Sequence, residues 1–188
     1  MNVIFLAGVH GVGKGYLGAP VAATLGMLHC TASQLIRDEK GRKTWSADKL
    51  VADVDDNQLA LINAVNRRRE STASMLLDGH FVLRSGAGGL IRLDTDVFSR
   101  LRLSGVILLC DDSKIIAARL ARRDGVSTSS ESVAELASEE ESHARAICCS
   151  LHIPLTVVNS ATEIELKAAV VRLLAGTPKE DWHFFNCS

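Results

Sequence analysis

Residues 2–15 read NVIFLAGVHGVGKG, an apolar run followed at once by a glycine-rich turn that contains one lysine. The run from Asn2 to Ala7 has the length and composition of a buried strand. Gly8 to Gly15 fits the pattern GxxxxGK in the context that this pattern requires, directly after a strand. The N–H groups of such a turn wrap a phosphate, and Lys14 and the positive end of the next helix attract its charge. The segment predicts a phosphate-binding loop, with a glycine turn that binds nothing as the alternative.

Short apolar runs alternate with helical patterns along the whole chain, which is typical of an α/β fold with a parallel sheet between helices. Five strands are predicted, at Asn2 to Ala7, Met27 to Cys30, Met75 to Leu77, Val106 to Cys110 and Leu155 to Val158. After the first helix, which Gly18 and Pro20 make short or bent, helices are predicted over about 48–70, after Asp111 or Asp112, after Thr128 and after Ser160. The glycine- and serine-rich segments 84–90 and 124–130 are expected to be mobile loops.

Composition limits the domain count and the partners. With 188 residues and 47% hydrophobic content, the chain is expected to form a single domain over 1–176 and a tail at 177–188. The net charge of -1 gives no overall attraction to nucleic acid or acidic lipid, so small-molecule partners are expected. No apolar run reaches membrane-spanning length. Five cysteines without CxxC pairing predict free thiols and a cytoplasmic location.

The residue after the loop lysine distinguishes among phosphate-binding proteins. Most such loops place Ser or Thr there to hold Mg²⁺, but this chain has Gly15. The sequence GKG resembles the loop of adenylate kinases and related nucleoside monophosphate kinases, in which Thr follows the glycine and Tyr16 stands here. The resemblance implies a P-loop NTPase three-layer sandwich that binds ATP and Mg²⁺. It implies ATP contacts from Gly11, Val12, Gly13, Lys14, Gly15 and Tyr16.

Residues 31–37, TASQLIR, resemble the acceptor-binding signature Ser-Thr-Gly-Asp-Met-Leu-Arg of these kinases. The resemblance implies that Thr31 bonds the acceptor nucleotide and that Arg37 clamps its phosphate with two hydrogen bonds. The acceptor-binding segment would span about 31–70. A surface arginine that complements the dipole of a helix end is the alternative for Arg37.

The predicted third strand ends in Leu-Asp-Gly-His at 77–80. Asp78 occupies the position from which the kinases orient Mg²⁺ through water. The kinases' Asp-Gly-Phe-Pro-Arg is matched only in part, because His80 replaces the aromatic residue and no arginine follows at the same spacing. The Asp-x-His form, the glycine-bearing hairpin after it and the segment 93–98 resemble the archaeal-type adenylate kinases. His80 could contact a phosphate or support Asp78, or it could be a core histidine.

Arg119, Arg122 and Arg123 share one face of a predicted helix, and such clustered positive charge favours an anion. They correspond in position to the arginines beside the lid of these kinases, which implies a short lid at about 122–132 and a role for Arg119 and Arg123 on the transferring group. A solvated arginine face is the alternative. The acidic run 139–141 is predicted to lie at a solvated helix N-terminus.

The resemblance implies transfer of the γ-phosphoryl group of Mg-ATP to a nucleoside monophosphate, most of all AMP, with Lys14 holding the donor. Two alternatives stay open. The acceptor could be another small molecule, such as a sugar acid or a nucleoside. The chain could instead be a nucleotide-dependent interaction protein without kinase activity, acting on a protein partner. A homodimer is equally compatible with the sequence.

Overall fold

The computed structural model describes residues 1–41, 54–86, 88–125 and 128–176. The strands are β1 Asn2–Ala7, β2 Leu28–Thr31, β3 Ser74–Asp78, β4 Val82–Arg84, β5 Leu90–Arg92, β6 Gly105–Cys110 and β7 Leu155–Asn159. The helices are α1 Lys14–Thr24, α2 Ala32–Lys40, α3 Val54–Arg68, α4 Thr95–Leu101, α5 Ser113–Asp124, α6 Ser130–Ser150 and α7 Glu163–Leu174. Parts of the predicted acceptor segment (42–53) and lid (126–127), and the tail 177–188, lie outside the described residues.

The main sheet has five parallel strands in the order β2-β3-β1-β6-β7, so the predicted class and strand number are confirmed. The central strand β1 pairs with β3 on one side and with β6 on the other. The chain passes from β1 to the edge strand β2, returns to β3 beside β1, and then continues on the other side through β6 to β7. The carboxyl end of β1 therefore lies at the switch point where open parallel sheets bind ligands. Strands β4 and β5 form a separate antiparallel hairpin around the glycine-rich segment that was predicted as a loop.

Alternate residues of each strand face opposite sides of the sheet, and each side carries its own apolar core. Phe5 and Leu77 face one side, where they pack with α2, α3, α4 and α6. Ile4 and Leu76 face the other side, together with α1, α5 and α7. The result is three layers, helix, sheet and helix, with the sheet buried on both faces.

Capping chemistry explains where the helices begin. Asp112 accepts the N–H groups of Lys114 and Ile115, which confirms the predicted start of α5. The predicted start of α7 after Ser160 is wrong. Ser160 is in the left-handed region (φ 46°), whereas Thr162 forms a reciprocal capping box with Glu165.

Three further predictions are refined by the structure. Helix α6 begins after Ser129, whose hydroxyl accepts the N–H of Ser132, and not after Thr128. Helix α1 is 11 residues long and continues through Pro20 to Thr24. The cysteine prediction holds for Cys30, Cys110 and Cys148, which are free, but it is wrong for Cys149, which is disulfide-bonded. Among the described helices, none is both long and apolar enough to cross a bilayer.

Candidate functional site

The loop between β1 and α1 requires glycine for backbone and packing reasons. Gly8, Gly11 and Gly13 have φ values of 134°, 82° and 109°, a region that side chains with a Cβ disfavour. A Cβ on Gly8 would lie 2.6 Å from the carbonyl oxygen of Leu109. Gly13 is the N-cap of α1, and no described side chain caps this end, so the first N–H groups of the helix face the loop.

Lys14 lies at the base of this loop with only 6% of its surface exposed. Its Nζ donates to the carbonyl oxygens of Gly8 at 2.5 Å and Val9 at 3.3 Å. Asp78 Oδ1 is 3.7 Å away, and His80 Nε2 is 3.5 Å away. Burial lowers the pKa of Lys14, and the carboxylate of Asp78 opposes that shift. A weakly hydrated ammonium of this kind is well suited to bind phosphate oxygens.

Asp78 ends β3 beside the loop, with a side chain that is 13% exposed. Burial raises its pKa, whereas Lys14 lowers it. Asp78 is the one carboxylate among the described residues that line the cleft. A Cβ on Gly15 would lie 3.9 Å from Asp78 Oδ2, so the missing Ser or Thr hydroxyl would have stood next to this carboxylate.

The oxygen-bearing side chains at the site decide whether Mg²⁺ could bind there. Within the described residues, no group of three or more His, Cys, Asp and Glu side chains could hold a metal ion. Mg²⁺ does not need such a group, because one carboxylate, bound phosphates and waters commonly complete its coordination. Asp78 supplies that carboxylate, so the residues present fit the ion.

His80 and His10 lie together at the loop, with ring centroids 4.2 Å apart. Desolvation, and then the charges of Lys14 and Arg123, lower the pKa of His10 to about 4. Burial, reinforced by Lys14, places the pKa of His80 well below its ordinary value. Both rings are therefore neutral near pH 7. His80 lines the cleft and contacts Lys14, which brings it into the site.

Two of the three predicted arginines reach the cleft. Arg119 pairs with Asp111 at 2.8 Å, and its Nη1 donates to the carbonyl oxygen of Val12 in the loop at 3.4 Å. Arg123 also lines the cleft and pairs with Asp124. Arg122 is exposed and is not among the described residues that line the cleft.

The predicted acceptor residues separate in the structure. Thr31 pairs in register with Asp78 and lines the cleft, while its hydroxyl caps α2 by accepting the N–H of Gln34. Arg37 lies on the exposed side of α2 and is not among the cleft-lining residues that the structure describes. Tyr16 lines the cleft mouth with 85% of its surface exposed.

One cleft of about 830 Å³ lies at the carboxyl end of the sheet and is lined by the phosphate loop, Lys14, Thr31, Asp78 and His80. Its polar floor consists of the loop, Lys14, Asp78 and His80. Asn57 and Gln58 of α3, which the sequence did not indicate, contribute amide groups to its wall. The rest of the lining is mainly apolar, and the core residues Phe5, Leu61, Val97, Phe98 and Leu101 lie behind it, each at most 6% exposed. The size lies in the usual range of small-molecule sites.

The acidic run 139–141 contains a residue that the sequence analysis missed. It lies in the middle of α6, so its placement at a solvated helix N-terminus is wrong. Glu139 and Glu141 do form surface ion pairs, but Glu140 is 1% exposed. The sequence does indicate that Glu140 faces inward, because position 140 continues the helical spacing of the inward-facing Leu136, Ala144 and Ile147.

Glu140 joins the phosphate loop to the segment after β3. Its Oε1 accepts the N–H of Gly8 at 3.2 Å. Its Oε2 accepts the N–H groups of Phe81 at 2.9 Å and Val82 at 2.7 Å. Burial raises its pKa, and these backbone donors oppose the shift. Three donors on one side chain favour the ionised carboxylate, which only accepts hydrogen bonds.

Comparison with known proteins supports this description of the fold. A family model described as AAA domain matches residues 7–137. The structure resembles a shikimate kinase from Acinetobacter baumannii in complex with shikimate (TM-score 0.61, 15% identity, 93% of each chain). It also resembles a shikimate kinase from Bacteroides thetaiotaomicron (0.56, 16%, 93% of this chain and 98% of that one). A gluconokinase from Sinorhizobium meliloti 1021 is similar as well (0.52, 14%, 93% and 91%). No curated protein matches in sequence.

Proposed function

The chain belongs to the family described as AAA domain, and we propose that it transfers the γ-phosphoryl group of ATP to a small acceptor bound in the same cleft. The observation that carries this proposal is the cleft floor. There a glycine-rich loop, the buried Lys14 and the carboxylate of Asp78 lie together, with a further apolar chamber beside them. A site for phosphate hydrolysis alone would not need that chamber.

The donor phosphates would be held by the loop and by Lys14. The loop amides and the first turn of α1 provide N–H donors, and Lys14 provides a desolvated positive charge. Mg²⁺, when bound, neutralises charge on the β- and γ-phosphate oxygens. Asp78 is the residue that would hold it, and the phosphates would complete the coordination.

The transferring group would be stabilised by Arg119 and Arg123. Both lie on the cleft side of α5, one turn apart, and Arg119 already contacts the loop carbonyl of Val12. Charge spreads over the γ-phosphoryl oxygens during transfer, so guanidinium groups that line the same cleft as Lys14 would lower the barrier. The lid at 122–132 is proposed to exclude water and so suppress hydrolysis.

The acceptor would lie between Thr31, the α3 amides and the apolar lining. Solved structures with this fold include kinases named for gluconate and for shikimate, which favours a small acceptor that carries a hydroxyl group. In that case the acceptor oxygen attacks the γ-phosphorus of ATP, and the bond between the γ-phosphorus and the β–γ bridging oxygen breaks. ADP then leaves, and the hydroxyl proton passes to an oxygen of the transferred phosphoryl group, since Asp78 is committed to Mg²⁺.

A nucleoside monophosphate is the second candidate acceptor. The apolar lining of the cleft is suited to a flat base, and Thr31 lines the same cleft. An acceptor phosphate is already anionic, so this reaction would need no proton acceptor. Arg37 would then have to swing toward the cleft to bind the acceptor phosphate, since it lies on the exposed side of α2.

The test is ADP formation from Mg-ATP with gluconate, shikimate, AMP, CMP, GMP, UMP or dTMP added separately. We expect ADP to appear faster with one or two of these acceptors, and Lys14→Ala to abolish the stimulation. If wild-type protein binds ATP but no acceptor stimulates ADP formation, the proposal is wrong. A nucleotide-dependent interaction protein then becomes the better account.

A further inference from the structure

We infer that Glu140 is a positioning residue of the phosphate site, which fixes Gly8 and through it the loop lysine. The inference rests on the proposed function, because it assumes that the loop binds the phosphates of ATP. It adds a residue that lies outside the cleft and contacts neither donor nor acceptor. It also assigns a reason for a buried carboxylate in the middle of a helix.

The first connection runs through Gly8. The N–H of Gly8 donates to Glu140 Oε1 at 3.2 Å, and the carbonyl oxygen of the same residue accepts from Lys14 Nζ at 2.5 Å. Glu140 therefore determines the orientation of the residue on which the lysine ammonium rests. Gly8 has no side chain to hold it, so the hydrogen bonds of its N–H and carbonyl groups help to orient it within the close-packed loop.

The second connection runs through His80. Its Nε2 lies 3.5 Å from Lys14 Nζ, and its Nδ1 lies 3.9 Å from Glu140 Oε1. The next two residues, Phe81 and Val82, are anchored to Glu140 Oε2 by their N–H groups. The backbone that follows His80 is thus anchored to Glu140, and the Nε2 atom of His80 faces Lys14.

Helix α6 also forms part of the cleft wall. Ser132, Val133 and Leu136 line the cleft in its first two turns, and Glu140 follows one turn later. The helix begins at Ser130, within the proposed lid segment 122–132. Glu140 therefore links the helix in which this segment ends to the base of the phosphate loop.

A glutamine at this position would break the connection selectively. The side-chain carbonyl of Glu140→Gln could still accept from Phe81 and Val82, but its NH₂ group would then face the N–H of Gly8. Two donors facing each other cannot bond, and Gly8 would lose its anchor. Glu141→Gln is the matched control, because it removes the same charge from the exposed side of the same helix.

The experiment measures the affinity of wild type, Glu140→Gln and Glu141→Gln for ATP, for inorganic tripolyphosphate and for adenosine. Circular dichroism first establishes a temperature at which all three are fully folded. We expect Glu140→Gln to bind ATP and tripolyphosphate more weakly by up to about tenfold, because restoring the orientation of Gly8 on binding costs at most the free energy of the hydrogen bond that the variant lost. Its affinity for adenosine should be unchanged, and Glu141→Gln should match wild type with every ligand.

A residue that only stabilises the fold would lower the unfolding temperature and leave the affinities of folded molecules unchanged. That result, or equal weakening of adenosine binding, would overturn the inference. If Glu140→Gln does not fold, His80→Gln tests the second connection by the same titrations, and unchanged tripolyphosphate affinity in that variant would count against it. Wild-type protein that binds neither ATP nor tripolyphosphate would refute the proposed function itself.

Discussion

Replacing Gly15 by serine should stabilise the protein, in contrast to changes at the other loop glycines. Gly15 is the second residue of α1, and its φ lies outside the left-handed region. The only contact that a Cβ would make within 4 Å is with Asp78 Oδ2 at 3.9 Å, an ordinary van der Waals distance. The serine hydroxyl can therefore donate a hydrogen bond to that carboxylate without displacing any atom.

The size of the effect follows from two contributions. Serine is favoured over glycine in a helix by about 0.3–0.5 kcal/mol. A hydrogen bond to a mostly buried carboxylate contributes about 1 kcal/mol more. For a chain of this length each kcal/mol raises the unfolding temperature by about 2–4 °C, so Gly15→Ser should raise it by about 3–6 °C.

The assay is thermal unfolding without nucleotide, with Gly13→Ser as the matched variant. A Cβ on Gly13 would meet only Leu17 Cδ1 at 3.9 Å, so space is equally available there. Its φ of 109°, however, should cost the variant about 1–2 kcal/mol. A destabilised Gly15→Ser would refute the geometry assigned to Asp78. A Gly13→Ser variant as stable as wild type would refute the backbone argument.

Two further predictions concern stability. Gly79→Ala should cost about 1–3 kcal/mol, because its Cβ would lie 2.6 Å from the Phe5 ring in the core, and chemical denaturation should show this loss while Gly86→Ala stays near wild type. The pKa of His10 is about 4 in the fold and 6.5 as its ordinary value, so the unfolded chain takes up more protons between these pH values. The stabilisation from neutral His10 is thus complete above pH 6.5 and is lost as pH falls toward 4. Unfolding midpoints measured across this window should fall less in His10→Gln than in wild type, and parallel curves would contradict the assignment.

The parts of the fold that depend on local pattern could be predicted from the sequence. Five apolar runs identified the strands of the main sheet, and the loop motif placed Lys14 where the loop after β1 meets α1. Asp78 was identified from its position at the end of the third predicted strand, whereas Thr31 was implied only by the resemblance to the kinase signature. The two residues pair in register at one edge of the sheet. Local pattern therefore identified the floor of the cleft.

Features that depend on packing between distant segments could not be predicted in this way. Glu140 lies between two similar glutamates. Helical spacing indicates that it faces inward, but only the packing of α6 against the segments after β1 and β3 shows which groups it binds. Ser160 and Thr162 both look like helix caps, and the choice depends on the backbone turn after β7 and on the bond from Ser160 to Asp111. Arg37 matched a family signature, but the orientation of α2 about its axis places Arg37 on the exposed side of the helix.

The most direct test of the central claim follows the γ-phosphoryl group itself. Wild-type protein is incubated with ATP labelled at the γ-phosphate, Mg²⁺ and the acceptor that best stimulates ADP formation, and the label is traced to acceptor or to inorganic phosphate. The account predicts that most of the label reaches the acceptor and that Lys14→Ala transfers none. Label found only in inorganic phosphate would show hydrolysis without transfer, and would contradict the assignment of the cleft as a kinase site.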